Sequence, residues 1–307
     1  MTLWPPAGMT QRYIDVLDSV LAFVETEPAG TAGIGEAAPK DEPLPVMLFL
    51  HGNPTSSFLW RHVLTELSGE VHAIAVDLIG MGRSGKPAGA YALADHRRYL
   101  DAFVDQRGLR DVVVVGHDWG AVLGLDLAVR RPEVVSSIAV CEGHLHPFAR
   151  WTDMDEGSRG LFSRLRTAGI GQQLVINENF FVDVVLPAGM THKLTREEWA
   201  EYRAPFTRVQ DRWPILRWVQ QIPIEGEPAD VVETVLANQT VLLQAKIPRL
   251  LMYGEPGSVV GAAEIEWAKR KADGLTVAGV GAGTHFLPED CAPAIARALR
   301  TWLAQSA

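Results

Sequence analysis

The stretch Val112-Val113-Val114-Val115-Gly116-His117-Asp118-Trp119-Gly120 joins a run of four valines to the helix-like segment Ala121–Arg131. Consecutive valines are typical of a buried strand, so the stretch predicts a strand, a sharp turn and a helix in immediate succession. Such a turn accepts only small residues beside its central side chain, and Gly116 and Gly120 meet that requirement. Asp118 then occupies the position of a nucleophile. A capping aspartate in a glycine-bounded turn is the plainer alternative.

Short apolar runs of the same kind flank this stretch, and helix-like segments separate them. The further predicted strands are Val46–Leu50, Val71–Leu78, Val134–Val140, Arg249–Met252 and Thr276–Val280. The further predicted helices are Asp95–Gln106, Ala262–Lys271 and Ala292–Leu303. Uninterrupted apolar strands are typical of a parallel sheet covered on both faces, and their alternation with helices predicts a doubly wound α/β fold. Alternating residues over Arg12–Glu27 predict two more strands around Asp18-Ser19.

One block interrupts this alternation. Residues 145–226 carry helical patterns with several Trp and Phe, and the strand pattern returns only near Ile247. We therefore predict a main domain made of residues 1–144 and 227–307, with residues 145–226 inserted as a helical cap. The Pro-, Gly- and Ala-rich tract Pro28–Pro43 predicts a surface loop, to which no role is assigned.

Composition excludes several classes of function. The chain has 307 residues with 47% hydrophobic residues, and its net charge of −9 argues against binding of nucleic acid or anionic membranes. Cys141 and Cys291 form no CxxC pair, and His144 and His146 have no third ligand at a suitable spacing, so we expect no metal site and interpret both histidines as polar loop residues. Without a secretory signal, a membrane-spanning run or an obvious apolar surface stripe, we expect a cytoplasmic monomer.

An aspartate in the nucleophile position determines the reaction type. A carboxylate that attacks saturated carbon displaces a leaving group and forms an alkyl ester, which water must then cleave with the help of a base. His285 follows the last predicted strand and is the best-placed base. Two acids could orient it, because Glu142 and Glu255 each follow a predicted strand and each preserves the order nucleophile, acid, histidine. Spacing alone leaves both open.

The turn after the first central strand supplies candidate anion donors. His51-Gly52-Asn53 follows Val46–Leu50, and such a turn places backbone N–H groups beside the nucleophile. The Asn53 amide and the Trp119 indole each add a side-chain N–H. Two neutral donors at one point suit a departing anion, so we predict that these two residues bind it.

Together these motifs resemble the haloalkane dehalogenases of the α/β-hydrolase fold, and the resemblance covers nearly the whole chain. It rests on His51-Gly52-Asn53-Pro54-Thr55-Ser56, Asp77-Leu78-Ile79-Gly80-Met81-Gly82-Arg83-Ser84, Gly116-His117-Asp118-Trp119-Gly120, Cys141-Glu142-Gly143, Leu186-Pro187, Tyr202-Arg203-Ala204-Pro205-Phe206, Ile222-Pro223-Ile224, Gly254-Glu255-Pro256-Gly257 and His285-Phe286. The long tract Pro28–Pro43 departs from the compact family pattern, away from these motifs.

The resemblance implies a function and a set of site residues. Small apolar halogenated substrates would be converted into alcohol, halide and a proton without a metal or an organic cofactor. Asp118 would be the nucleophile, His285 the base and Glu142 the acid, which makes Glu255 a turn residue. Asn53 and Trp119 would bind the halide through their side chains and form the oxyanion hole through their backbone N–H groups. Two phenylalanines match cavity-lining positions of such enzymes, Phe162 and Phe181.

Other members of the same fold remain alternatives. Epoxide hydrolases share the Gly-His-Asp-Trp-Gly turn but typically need two cap tyrosines, and residues 145–226 contain only Tyr202. Fluoroacetate-type enzymes would carry an arginine near the nucleophile, where this chain has Trp119 and Ala121. A coelenterazine-oxidising luciferase of the Renilla type has a very similar set of site residues. A non-catalytic receptor would usually have lost a member of the triad.

Overall fold

The computed structural model describes residues 4–26, 44–89 and 91–306. The strands are β1 (Met9–Val16), β2 (Ser19–Thr26), β3 (Val46–Leu50), β4 (His72–Val76), β5 (Val112–His117), β6 (Val135–Cys141), β7 (Arg249–Pro256) and β8 (Leu275–Gly283). The α-helices are α1 (Arg61–Glu66), α2 (Leu93–Gln106), α3 (Trp119–Arg130), α4 (Glu156–Arg166), α5 (Leu186–Ala188), α6 (Arg196–Arg203), α7 (Trp213–Gln220), α8 (Ala229–Gln244), α9 (Ala262–Lys271), α10 (Leu287–Asp290) and α11 (Ala292–Ser306). The predicted loop Pro28–Pro43 lies outside the described residues.

The strands form one sheet in the order β1-β2-β4-β3-β5-β6-β7-β8. Strands β3 to β8 pair in parallel, whereas β1 and β2 form an antiparallel hairpin at one edge. Every residue of β5 is buried, and because alternate side chains point to opposite faces, both faces of the sheet are covered. The predicted doubly wound, mostly parallel sheet is confirmed.

Most element boundaries differ from the predicted ones by a few residues. Strand β5 extends through His117, because His117 still pairs with Cys141 of β6. Helix α3 begins at Trp119, directly after Asp118, so the turn between strand and helix is shorter than the sequence pattern indicates. The N-terminal pair of strands is found where alternation predicts it, with Leu17 at a φ of 55° in the tight turn.

Helix α8 is a long element that the sequence pattern does not indicate. It packs against α3, and the buried Asn238 side chain donates a hydrogen bond to the Val122 carbonyl over 2.9 Å. Its sequence is rich in Val and Thr, whose branched side chains disfavour an isolated helix. Packing against the core therefore outweighs local preference in this segment.

Residues 145–226 carry α4 to α7 and shorter turns, and no strand of this range joins the sheet. The short turns in this range are five, each of the 3₁₀ or π type: Trp151–Asp153, Gln172–Asn177, Phe181–Val185, Ala204–Phe206 and Val209–Arg212. A further 3₁₀ turn, Ser57–Trp60, precedes α1. The division into a main domain and a cap at 145 and 226 stays a prediction.

A buried ion pair ties this helical range to the sheet domain. The guanidinium of Arg61 in α1 lies 2.7 Å from the Glu198 carboxylate of α6 and 2.9 Å from a carboxylate oxygen of Glu289 in α10. Its side chain is almost completely buried. Because a buried charge without its partner is strongly destabilising, this contact fixes the position of α6 over the sheet domain.

Candidate active site

Asp118 sits at the tip of the turn between β5 and α3. Its backbone adopts φ 53° and ψ −123°, a conformation that residues other than glycine rarely take. The turn is tight: a Cβ on Gly120 would lie 2.1 Å from the Leu50 carbonyl oxygen, so only glycine fits there. Strained strand-to-helix turns of this kind typically hold a nucleophile above the sheet, and the Asp118 side chain lines a cavity there.

The loops after β6 and β8 bring an acid and a base to Asp118. Glu142 directly follows β6 and is completely buried, and its Oε2 lies 3.3 Å from Nδ1 of His285. The other ring nitrogen of His285, Nε2, lies 3.8 Å from Oδ1 of Asp118. The three side chains thus form a continuous row from the buried carboxylate to the cavity, in the arrangement of a nucleophile, a base and an orienting acid.

The alternative acid, Glu255, is placed differently. It is exposed near the end of β7, where it pairs with Ala282 of β8. The expectation that Glu255 is a turn residue is therefore wrong, because β7 continues through Pro256. The carboxylate that contacts His285 is that of Glu142.

The loop after β7 nevertheless contributes to the site. The backbone N–H groups of Ser258, Val259 and Val260 donate to the Glu142 carboxylate, the shortest over 2.7 Å from Val259. Several N–H donors at one carboxylate stabilise its charged form and fix its orientation. The sequence pattern did not indicate this cradle, because backbone donors leave no residue-type signal.

The pKa values of His285 and Asp118 reflect the burial of both side chains and their mutual attraction. Burial opposes a charge on the His285 imidazole, but the Glu142 hydrogen bond and the Asp118 carboxylate outweigh it, and the pKa of His285 lies above 6.5. Burial raises the pKa of Asp118, although His285 and the backbone N–H groups of Asn53 and Trp119 act in the opposite direction. Each group therefore favours the charged form of the other.

The turn after β3 supplies donors to the same carboxylate. The backbone N–H of Asn53 donates to Oδ2 of Asp118 over 2.8 Å, and the backbone N–H of Trp119 also donates to this side chain. The Asn53 side-chain amide donates to the Ile215 carbonyl over 3.2 Å. Within the described residues the Trp119 indole N–H has no acceptor, and its ring lines the cavity in a stack with Trp218 at 4.5 Å.

A cavity of about 780 Å³ opens in front of these groups. The predicted lining residues Phe162 and Phe181 both border it. Its wall also includes residues that the sequence pattern did not single out, among them Phe148, Leu161, Trp218, Val219 and Ile222, together with His144. His144 lies in the loop after β6, as the sequence indicates, but its ring is buried in this wall, which the sequence does not indicate. Tyr202 faces elsewhere, since its hydroxyl donates to Glu289.

The loop that carries His285 is held by the helical range. The Gly189 carbonyl, just after α5, accepts hydrogen bonds from the backbone N–H groups of His285 and Phe286 and from the Thr284 hydroxyl, the last over 2.8 Å. From the other side, His117 donates through Nε2 to the His285 carbonyl over 2.8 Å; burial keeps the pKa of His117 well below 6.5. His285 is therefore held at both its side chain and its backbone.

Comparison with known proteins identifies the family. A family model described as alpha/beta hydrolase fold matches residues 45–184. The haloalkane dehalogenase of Bradyrhizobium diazoefficiens is 42% identical over 97% of this chain and 96% of the relative. That of Mesorhizobium japonicum is also 42% identical, over 94% of this chain and 90% of the relative. The chain belongs to the haloalkane dehalogenase family.

Solved haloalkane dehalogenases have the same architecture. The crystal structure of DbeA from Bradyrhizobium elkani superimposes with a TM-score of 0.89 at 37% identity and covers 97% of this chain and 98% of its own. A putative ancestral haloalkane dehalogenase superimposes with a TM-score of 0.88 at 40% identity, covering 96% and 98%. The resemblance inferred from the motifs and the predicted α/β-hydrolase fold are both confirmed. Within the described residues, no helix has the length and apolar character of a membrane span.

Proposed function

We propose that this chain hydrolyses carbon–halogen bonds of small apolar haloalkanes through an ester on Asp118. One observation carries the proposal: a carboxylate faces an apolar cavity, with an imidazole nitrogen 3.8 Å from one of its oxygens and a backbone N–H 2.8 Å from the other. A hydrolase that used serine would not need a carboxylate at this turn. An attacking carboxylate suits displacement at saturated carbon.

The first step is displacement of the halide. Oδ2 of Asp118 accepts the Asn53 N–H, so Oδ1 is the oxygen that attacks carbon in line with the leaving group. The carbon–halogen bond breaks as the carbon–oxygen bond forms, and the halide leaves with the electron pair. The Trp119 indole N–H and the Asn53 amide stabilise the departing ion, each by about 1.5–3 kcal/mol, as expected for a hydrogen bond to a charged group.

The second step is hydrolysis of the ester. His285 accepts a proton from water through Nε2, and the resulting hydroxide attacks the carboxyl carbon of Asp118. The oxygen that faces the backbone N–H groups of Asn53 and Trp119 carries the negative charge of the tetrahedral intermediate; one such donor contributes about 2.7–4 kcal/mol. Glu142 stabilises the imidazolium. The alcohol leaves, the carboxylate re-forms, and one proton passes to solvent.

Intact-mass spectrometry tests the ester directly. We expect His285→Phe, exposed to a bromoalkane, to gain the mass of one alkyl group, because the ester forms but is not hydrolysed. The matched control Asp118→Asn should gain no mass and release no bromide. A His285→Phe protein without an adduct, while the wild type releases bromide, would contradict the covalent mechanism.

Among the alternatives, an epoxide hydrolase is disfavoured by the position of the single tyrosine of residues 145–226. Tyr202 is buried, and its hydroxyl donates to Glu289 instead of lining the cavity. Light emission from coelenterazine is the separate assay for a luciferase. That the protein is a cytoplasmic monomer stays a prediction.

A further inference from the structure

His144 is brought into the cavity wall by the loop after β6. Gly143 passes so close to the Asp118 turn that a Cβ at this position would lie 2.5 Å from the Ala121 Cβ, so the chain can approach only as glycine. The next residue, His144, meets the Trp119 indole edge-on at 5.5 Å between ring centres and lines the cavity. Its imidazole therefore stands beside the proposed halide donor.

The two ring nitrogens of His144 have different surroundings. Nδ1 is buried and has no hydrogen-bond partner within the described part of the chain, whereas Nε2 keeps access to the cavity. Burial lowers the pKa of His144 to about 3, so the ring is neutral and carries a single N–H. Because a buried N–H without a partner is rarely tolerated, the hydrogen belongs on Nε2. The ring thus directs one donor into the cavity.

Within residues 4–26, 44–89 and 91–306, no protein group accepts a hydrogen bond from Nε2 of His144. The neighbouring His146 differs, since it is part-exposed and lies 3.9 Å from the Glu264 carboxylate. Among the described residues, no group of three His, Cys, Asp or Glu side chains could hold a metal ion that would use His144 as a ligand. The wall around the His144 ring is mostly apolar, with Phe148 edge-on at 5.7 Å. The acceptor for Nε2–H is therefore water or a bound molecule in the cavity.

We propose that His144 determines specificity by donating Nε2–H to an oxygen of the substrate chain. The chemical class is a haloalkane that carries an ether, hydroxyl or carbonyl oxygen a few atoms from the halogen-bearing carbon. A pure hydrocarbon chain of the same length leaves the donor unsatisfied, and a site that presents a buried polar group discriminates against ligands that lack its partner. The inference rests on the proposed dehalogenation and adds a preference among its substrates.

Paired substrates test the preference. 3-Bromopropyl ethyl ether and 1-bromohexane have the same chain length, and they differ by one oxygen in place of a methylene. We expect His144→Phe, which keeps the aromatic packing, to lower the ratio of kcat/KM for the ether to kcat/KM for the hydrocarbon about three- to tenfold, the size of one hydrogen bond. His144→Gln, which retains a side-chain N–H, should keep most of the ratio. An unchanged ratio in His144→Phe would overturn the inference.

A second measurement needs neither a variant nor turnover. The ¹⁵N chemical shifts of the wild-type His144 imidazole report which nitrogen is protonated, and ethyl propyl ether, which has no halogen, serves as a bound probe. We expect the Nε2–H tautomer and a shift of its resonance on adding the ether. An Nδ1–H tautomer, or no shift, would overturn the inference. Absence of bromide release from both bromides would instead contradict the proposed function, and the NMR result would still decide the role of His144.

Discussion

The loops at the carboxyl end of the sheet and the helical range 145–226 both border the cavity, but their backbones are fixed in different ways. Asp118, Glu142 and His285 each follow a parallel strand whose register is set by pairing with its neighbouring strands. The Glu142 carboxylate also accepts hydrogen bonds from three backbone N–H groups of the loop after β7. The helical range contains several short 3₁₀ and π turns, and it contributes mostly apolar side chains to the cavity. The side chains that meet at hydrogen-bond distance lie on the loops that the sheet holds in place. The side chains that shape the cavity wall lie mostly on the irregular helical range.

The largest difference between the regions should appear at Glu142. We expect Glu142→Gln to slow turnover by about 10⁴-fold, the size of the effect when a triad carboxylate is replaced by its amide. The ester should still form, because Glu142 acts through His285 and not on carbon. Rapid-quench kinetics should show one equivalent of halide per enzyme, followed by slow release. Glu255→Gln is the matched control, exposed on β7, and should leave turnover unchanged; a loss there would reverse the choice of acid.

A smaller loss of activity is expected at the proposed halide donor Trp119. Trp119→Phe removes the indole N–H and should lower kcat/KM about 10- to 100-fold, as for one hydrogen bond to a charged group. Trp218→Phe is the control from the helical range, because Trp218 stacks on Trp119 but its own indole N–H is buried and has no acceptor among the residues that the structure describes. Steady-state kinetics with one bromoalkane compares them. Equal losses would show that stacking, not the donor, matters.

Substitutions in the helical range should have smaller effects, and these should change substrate binding more than the rate of ester formation. We expect Phe162→Leu to change KM by about tenfold or less and to leave the single-turnover rate of ester formation nearly unchanged, because only the shape of the apolar wall changes. Val184→Ala is the control, since Val184 belongs to the same range but is 47% exposed. Stopped-flow measurement of ester formation separates binding from chemistry. A large fall in the rate of ester formation in Phe162→Leu would contradict the division between the regions.

The smallest change expected is a shift in one titration. The Asp118 carboxylate contributes to raising the pKa of His285, so Asp118→Asn should lower that pKa, as followed by NMR. The ester has also lost the Asp118 charge. His285 therefore releases its proton at lower pH in the ester than in the free enzyme, and the neutral base needed for hydrolysis persists into more acidic solution. An unchanged pKa in Asp118→Asn would show that the two side chains do not interact electrostatically.

The sequence predicts the positions of the side chains that follow the sheet strands, because the motifs that indicate them are short and local. A strand followed at once by Gly-His-Asp-Trp-Gly has one plausible backbone, and the positions of Asn53 and His285 follow from the strands that precede them. The choice between Glu142 and Glu255 could not be made from spacing, because it depends on how far β7 continues and on which loop turns its N–H groups inward.

The helical range shows the opposite case. Phe162 and Phe181 follow from the family resemblance, whereas Trp218 and His144 reach the cavity through packing between residues distant in sequence, which no local pattern indicates. Helix α8 lacks a clear sequence signal for a related reason, since its many branched residues are stabilised as a helix by packing against α3. Prediction fails where contacts across the fold decide the structure.

The Gly189 carbonyl, which holds the His285 loop, limits which mutations this protein can tolerate. It is a main-chain carbonyl that accepts three hydrogen bonds from the His285 loop, and residue 189 must stay glycine, because a Cβ there would lie 2.8 Å from the Phe286 ring. Because the acceptor belongs to the main chain, point substitutions elsewhere in the helical range leave it in place, in nature or in a designed library. An insertion or deletion beside residue 189 would displace the carbonyl itself. Changes in chain length at this point are therefore expected to be selected against in evolution and should be avoided in design.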